Sequence, residues 1–266
     1  MNELLLLLGM GGLAGLMAGL LGIGGGIIIV PVLALVFQGQ GVDHSVLMHV
    51  AIGTSLGTIV ITSLSSIRAH HKRGAIDWQV FRHITPGILA GALLGSAIAK
   101  ALAGETLHLA FAIFMLLVAA QMARGNVAKP HRHLPGRGGM LVAGGVIGTI
   151  SSLMGVGGGS MSVPFLTWCN MAVRNAVATS AAIGLPIAVG GAIGFLVSGW
   201  GVPERPLYSV GFINLPAFAG IVVASTLFAP LGARIAHTIP PATLKRVFAV
   251  FLAVLGVKML YSLYVA

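Results

Sequence analysis

The 266-residue chain is 57% hydrophobic and 8% charged, with 15 Lys and Arg against five Asp and Glu. Soluble domains carry about 25% charged residues, so composition excludes a soluble domain and points to a membrane protein. The net charge of +10 raises nucleic acid as a partner, but the basic residues fall in short loops between apolar runs, where they set topology instead.

In chain order, MNELLLLL carries Glu3 and no Lys or Arg, so it lacks the basic start of a cleaved signal and reads as part of a first membrane helix. Gly11, Gly15 and Gly19 form a GxxxGxxxG row, the ordinary mark of close helix packing. GMGGLA at 9–14 has the letters of a dinucleotide fingerprint but neither the strand–turn–helix setting nor the acidic residue that such a site needs.

GLLGIGGGIIIVP (19–31) then breaks the apolar pattern and leaves a short segment over 24–37. Longer apolar runs follow at 46–67, 81–103 and 106–123. A second glycine stretch, SLMGVGGGSMSVP (152–164), opens a short segment over 157–169, and runs at 176–198, 207–231 and 244–266 complete the chain. Each long run approaches or exceeds the roughly 20 residues that cross a bilayer as a helix. The alternating strands of a barrel are absent, so the fold class is an all-α polytopic membrane helix bundle.

The bundle is a duplication. GIGGGIIIVP (22–31) matches GVGGGSMSVP (155–164), HVAIGTS (49–55) matches RNAVATS (174–180), ALLGSAIAKAL (92–102) matches APLGARIAHTI (229–239), and 106–122 matches 243–259. The order is preserved, which gives a first membrane repeat over 1–124, a basic linker over 125–137 and a second repeat over 138–266.

The basic segments 68–82 and 124–137 both belong in the cytoplasm by the positive-inside rule, with the hairpin 81–123 between them. If each glycine-rich pair makes an even number of crossings, as two spans or a re-entrant hairpin, each repeat crosses an odd number of times and the second is inverted. Twelve of the 15 Lys and Arg then lie inside, and Lys100, Arg205 and Lys258 lie outside or near it. Arg174 is expected in a short inner loop.

In lipid, irregular backbone survives only inside the protein or along a cavity, so the glycine breaks mark an internal polar place. Short, interrupted segments at matching positions of two inverted repeats point to a transporter's midplane site. Helices that begin at Gly24–Gly26 and Gly157–Gly159 would present free N–H groups and positive dipole ends to an anion. The candidate substrate-binding residues are therefore Gly24, Gly25, Gly26, Thr54, Ser55, Gly157, Gly158, Gly159, Ser160, Thr179 and Ser180, with Ser162 nearby. His49 and Arg174, each five residues before a Thr-Ser pair, are either cationic contacts or interfacial anchors.

Other features read plainly. One cysteine, Cys169, leaves no intramolecular disulfide and no cysteine metal cage. His70-His71 and His131/His133 lie in basic loops that repel cations, so no metal and no cofactor is expected. Trp78, Trp168, Trp200, Tyr208, Tyr261 and Tyr264 suit the aromatic belt. Glu3, Asp43, Asp77, Glu105 and Glu204 all fall in termini or loops, which disfavours a carboxylate proton relay and leaves His49 able to carry a proton. Anion export down the membrane potential gains about 2.3 kcal/mol per charge per 100 mV and needs no such relay.

The paired GxGGGxxxVP motifs and the AxxTS motifs at 51–55 and 176–180 resemble those of the sulfite exporter TauE/SafE family, also called the toluene-sulfonate uptake permeases. The resemblance covers nearly the whole chain. It implies a multi-pass transporter of the bacterial inner membrane that moves sulfite, sulfoacetate or other organosulfonates, mostly outward. An anion channel or an importer of organosulfur compounds is the alternative, and enzyme chemistry has no residue set to support it. The partners implied are a small anion and the lipid bilayer, with homo-oligomerisation left open. Where the second repeat has Ser160, Met161 and Ser162 the first has Ile27, Ile28 and Ile29, so the two half-sites cannot contribute equally.

Overall fold

The computed structural model describes residues 26–124, 133–236 and 241–265. The expected amino-terminal helix, its Gly11–Gly15–Gly19 row, and Gly24 and Gly25 lie outside the described residues. Within them are nine helices: α1 (Gly26–Gly39), α2 (His44–Lys72), α3 (Trp78–Ala101), α4 (Gly104–Arg124), α5 (Arg137–Leu153), α6 (Gly159–Trp168), α7 (Val173–Ser198), α8 (Leu215–Ala236) and α9 (Pro241–Val265). Among the described residues, five segments are long and apolar enough to span a membrane.

Three features depart from the sequence expectation. The glycine-rich run GGMLVAGGVIGTISSL forms α5, a 17-residue helix that falls short of a full span and escapes a search for long runs. The run at 207–231 does not begin as a helix. Ser209–Val210 (β1) and Ile213–Asn214 (β2) pair antiparallel, Ser209 opposite Asn214, with Tyr208 at φ 61° and Gly211 at φ 57°. α8 starts only after this ribbon. Arg174, expected in a loop, is the second residue of α7.

The helix starts follow local chemistry. Asp43 caps α2 by accepting from the Ser45 N–H at 2.8 Å. Asp77 caps α3 by accepting from Gln79 and Val80, each at 3.0 Å, so the first turns have their orphan donors met. Pro31 and Pro164 each occupy the sixth position of a short helix, where a proline cannot bond the carbonyl four residues back. At 14 and 10 residues, α1 and α6 reach about 21 and about 15 Å, short of the roughly 30 Å hydrocarbon core.

α2 and α7 form the centre, packed against each other. The most apolar stretch of α2 is 78% buried, against 28% for α9, whose outward face carries Val247, Val250, Val254, Val257 and Tyr261. α3 and α5 approach through glycine. A Cβ on Gly87 or Gly91 would overlap the carbonyls of Leu141 or Gly145, and one on Gly144 would come within 2.5 Å of the Ile84 carbonyl. Small residues let membrane helices close to this distance, where dispersion and weak polar contacts replace the hydrophobic drive absent in lipid.

These contacts fix directions. Gly53 near the start of α2 meets Phe195 near the end of α7, so the two central helices run antiparallel. Gly87 to Gly95 faces Leu141 to Thr149 in the same order, so α3 and α5 run parallel. Arg68, Lys72, Arg73, Arg82, Arg137 and Arg174 consequently gather at one end of the bundle.

Candidate functional site

The second glycine break, Met154–Gly158, lies beside Ile52 and Ser55 of α2 and Ser180 and Gly184 of α7, roughly a third of the way along each central helix. Val156 N–H donates to Ser151 O at 2.9 Å and Gly155 N–H to Ser152 O at 3.1 Å, which closes α5 with Gly155 at φ 64°. A Cβ on Gly155 would sit 2.8 Å from Val30 Cγ2 of α1 and 3.1 Å from Ile52 of α2. Glycine is therefore required there twice over, for its conformation and for its contacts.

α6 lies antiparallel against the start of α7. A Cβ on Gly158 would lie 2.7 Å from Ser180 O and 3.0 Å from Gly184 N. Ser180 and Gly184 stand seven and eleven residues into α7, about 11 and 17 Å along it at 1.5 Å per residue. The break is thus close to mid-membrane.

The two short helices meet there. Gly26, the first residue of α1, would place a Cβ 2.6 Å from the Gly155 carbonyl and 3.0 Å from Val156 Cα. Ser55 Oγ on α2 donates to Gly155 O at 2.9 Å. The structure therefore brings Gly26, Ser55, Gly157, Gly158, Gly159 and Ser180 together.

Electrically the place is neutral but polar. Segments 52–59, 151–162 and 176–184 hold no ionisable side chain. No side chain caps α6, and its first turn keeps N–H groups without intrahelical partners at the positive end of the helix dipole. Ser160 and Ser162 on α6 itself and Ser180 of α7, beside Gly158, have buried hydroxyls with no hydrogen-bond partner, as do Ser151 and Ser152 at the end of α5, where Ser152 Oγ faces Gly191 of α7. Ser151, Ser152 and Ser162 are fully buried and Ser180 is 1% exposed. A buried hydroxyl without a partner costs about 1–3 kcal/mol, so Ser160, Ser162 and Ser180 make the start of α6 the place where hydrogen-bonding capacity is concentrated. Ser162 and Ser160 follow from the motif. Ser151 and Ser152 were not anticipated, although a serine pair directly before a glycine break in an apolar run was a readable signal.

Thr54 and Thr179 have a different employment. Thr54 Oγ1 accepts from the Asn214 N–H at 2.9 Å, and Thr179 Oγ1 accepts from the Asp77 N–H at 2.9 Å. Asp77 precedes α3 and caps it; Asn214 precedes α8 and accepts from Ala217 N–H at 3.0 Å. Each half therefore ties the loop of the other to its own central helix. Beside these ties the loops are seated between α2 and α7. At one end Phe212, 4% exposed, stacks on His49 at 5.1 Å and on Phe195 at 6.5 Å. At the other, Ala75 and Ile76 pack on Ala178 and Ala182. One loop is thus packed at each end of the central pair.

His49 and Arg174 are not equivalent in space. α2 begins five residues before His49, whereas α7 begins one residue before Arg174. The extra turn leaves His49 buried at 5% exposure and Arg174 exposed at the basic end. His49 Nε2 lies 2.9 Å from Ala99 O, and its Nδ1 has no partner. Neither touches the break.

A neutral, hydroxyl-bearing break from which two short helices start, set between two antiparallel central helices, fits the midplane site of a membrane transporter. Comparison with known proteins agrees. The family model described as sulfite exporter TauE/SafE matches residues 7–259. The chain belongs to the sulfite exporter TauE/SafE family. A probable membrane transporter protein of Haemophilus influenzae is 39% identical over 258 residues, covering 96% of this chain and 97% of that protein. One from Methanocaldococcus jannaschii is 29% identical over 259 residues, covering 96% and 94%. No solved structure gives a significant match. This family member is accordingly a multi-pass membrane transporter.

Proposed function

We propose that this transporter moves small sulfur-containing oxyanions, sulfite or an organosulfonate, outward across the bacterial inner membrane, as a secondary carrier and not as an enzyme. The observation that carries the reading is the group of unpartnered hydroxyls of Ser160, Ser162 and Ser180 at the uncapped start of α6. Hydroxyl and backbone N–H donors suit the oxygens of a sulfur oxyanion, and a helix N-terminus favours negative charge without a fixed cation. The absence of Lys or Arg within the described break suits release as well as binding, since a buried ion pair would hold the anion too firmly to turn over.

The antiparallel run of α2 and α7 and the exchanged Thr54–Asn214 and Thr179–Asp77 bonds support two halves of inverted topology. With the basic end in the cytoplasm, the Phe212 ribbon closes the outer side and Ala75–Ile76 the inner side. Each closure rests on one such hydrogen bond plus packing, so one can open while the other holds. That favours a gated carrier over a continuously open channel.

Sulfite efflux from proteoliposomes under an imposed potential tests the reading, with sulfate and sulfoacetate as competitors and Gly158→Asp as control. Saturable efflux that follows the potential and vanishes in the variant is expected. Absence of flux for every one of these anions with folded protein overturns the substrate assignment.

A further inference from the structure

The seam between α3 and α5 leaves a groove on the outside of the bundle. Its volume is about 450 Å³, with Ala90, Gly91 and Leu94 of α3 on one side and Val142, Gly145 and Val146 of α5 on the other. Leu94, Val142 and Val146 are 55%, 69% and 52% exposed, so the rims stand clear of the protein. A Cβ on Gly145 would have 4.0 Å to its nearest neighbour, the Gly87 carbonyl oxygen, which leaves the floor open at that glycine. Thr149 stands at the far end, its hydroxyl already donating to Gly145 O at 2.8 Å. The lining is otherwise apolar, so the groove suits a hydrocarbon chain.

Charge enters at one end only. α3 and α5 run parallel, with Gly87 on Leu141, Gly91 on Gly145 and Gly95 on Thr149, and the same register one turn back sets His83 level with Arg137. Arg82 and Arg137 are both exposed there, about 12 and about 8 Å before the groove at 1.5 Å per residue. Trp78, Arg82, Pro86, Ala90 and Leu94 form one i, i+4 row along α3, and all five are exposed. The Trp78 ring, edge-on to His71 at 5.5 Å and to Phe81 at 5.4 Å, marks the headgroup level, where tryptophan collects. Asp77, the one acid among the described residues at this end, has its carboxylate committed to the first turn of α3.

The geometry points to a binding site for an anionic phospholipid, with its phosphate between Arg82 and Arg137 and one acyl chain along the α3–α5 groove. Each guanidinium presents a fork of donors that matches a phosphate, and basic places between membrane helices select acidic headgroups in this way. The groove begins within about 12 Å of the arginines, inside the reach of a chain that descends through half of a roughly 30 Å core. α3 belongs to the first half of the chain and α5 to the second, so the lipid clamps the seam between them. The site is separate from the serine break and independent of what the transporter moves.

Native mass spectrometry of the full chain, released from nanodiscs of mixed phosphatidylglycerol and phosphatidylcholine, tests this. The wild type should retain phosphatidylglycerol in preference. Arg82→Gln combined with Arg137→Gln should lower that preference about fivefold for each arginine removed, the worth of one basic residue at an anionic surface. Arg68→Gln combined with Lys72→Gln removes the same charge from the same end, away from the groove, and should leave the preference intact. Ala90→Phe, which fills the groove, should lower phosphatidylglycerol retention with both arginines in place. Retention is scored on the folded fraction from size exclusion, so that poor folding does not mimic lost binding. Equal retention of the two lipids by the wild type, or an equal loss in the Arg68 and Lys72 variant, overturns the site. A lipid-free dimer that Ala90→Phe converts to monomer overturns it too, giving the groove to a second copy of the chain.

Discussion

The two halves of the chain carry the same motif and put it to unequal use. In the first, the residues after Gly26 are Ile27, Ile28 and Ile29, all buried in the apolar core. In the second, the corresponding stretch is Ser160, Met161 and Ser162, with Ser151, Ser152 and Ser180 nearby and no partner for any of the five hydroxyls. One short helix is an apolar wedge, and the other is a polar terminus. Matched motifs therefore need not bury matched chemistry: the same positions carry apolar packing in one half and unpartnered hydroxyls in the other.

The comparison breaks most sharply at Gly155. Alanine there meets the left-handed backbone, costing roughly 1–2 kcal/mol, and a 2.8 Å clash with Val30. Transport should be lost and melting in detergent lowered. Gly39, at the end of the apolar wedge with open space around it, should accept alanine with little change in either. Equal losses at the two positions would contradict the assignment of the site to the second break.

The serines sharpen it next. Ser162→Ala and Ser180→Ala should each weaken anion binding about tenfold, about 1.4 kcal/mol, read as a raised KM for flux. Melting temperature should hold or rise, because an unmet buried hydroxyl is removed. A fall in stability with unchanged flux would make these serines structural.

The threonines behave in the opposite sense. Thr54→Val leaves the Asn214 N–H buried without an acceptor and should cost about 1–3 kcal/mol of stability. Thr179→Val strands the Asp77 N–H in a half-buried place and should cost less. Thermal melting of the two variants checks the order.

The smallest effect lies at the helix starts. The Ser45 hydroxyl and N–H hold the Asp43 carboxyl below its ordinary value of 3.8. A lowered folded value means the cap is fully effective above that ordinary value and is lost as pH falls through the lower one. Asp43→Asn should remove that acid-side dependence of melting. α7, whose Ala172 gives no side-chain cap, has nothing comparable to lose.

Much of this was legible in residue order. The helices expected at 46–67, 81–103, 106–123, 176–198 and 244–266 appear with ends shifted by a few residues, because apolar length and the caps Asp43 and Asp77 are local signals. The short segments appear as α1 and α6, since the glycine breaks mark their starts locally too, while Pro31 and Pro164 lie inside the helices instead of ending them. The ribbon at 209–214 was hidden because Phe212 and Ile213 read as helix interior, and only their contact with α2 makes them a plug. The separate roles of Thr54 and Ser55 were equally hidden. Both are small hydroxyls in one motif, and the bond that occupies Thr54 comes from 160 residues away.

The exchanged threonine bonds bear on how the halves hold together. Thr54 of one half serves a loop of the other and Thr179 returns the service, the reciprocity seen in an isologous pair. Each half on its own would leave one threonine acceptor and one loop donor unmet, so neither half completes its own hydrogen bonding without the other.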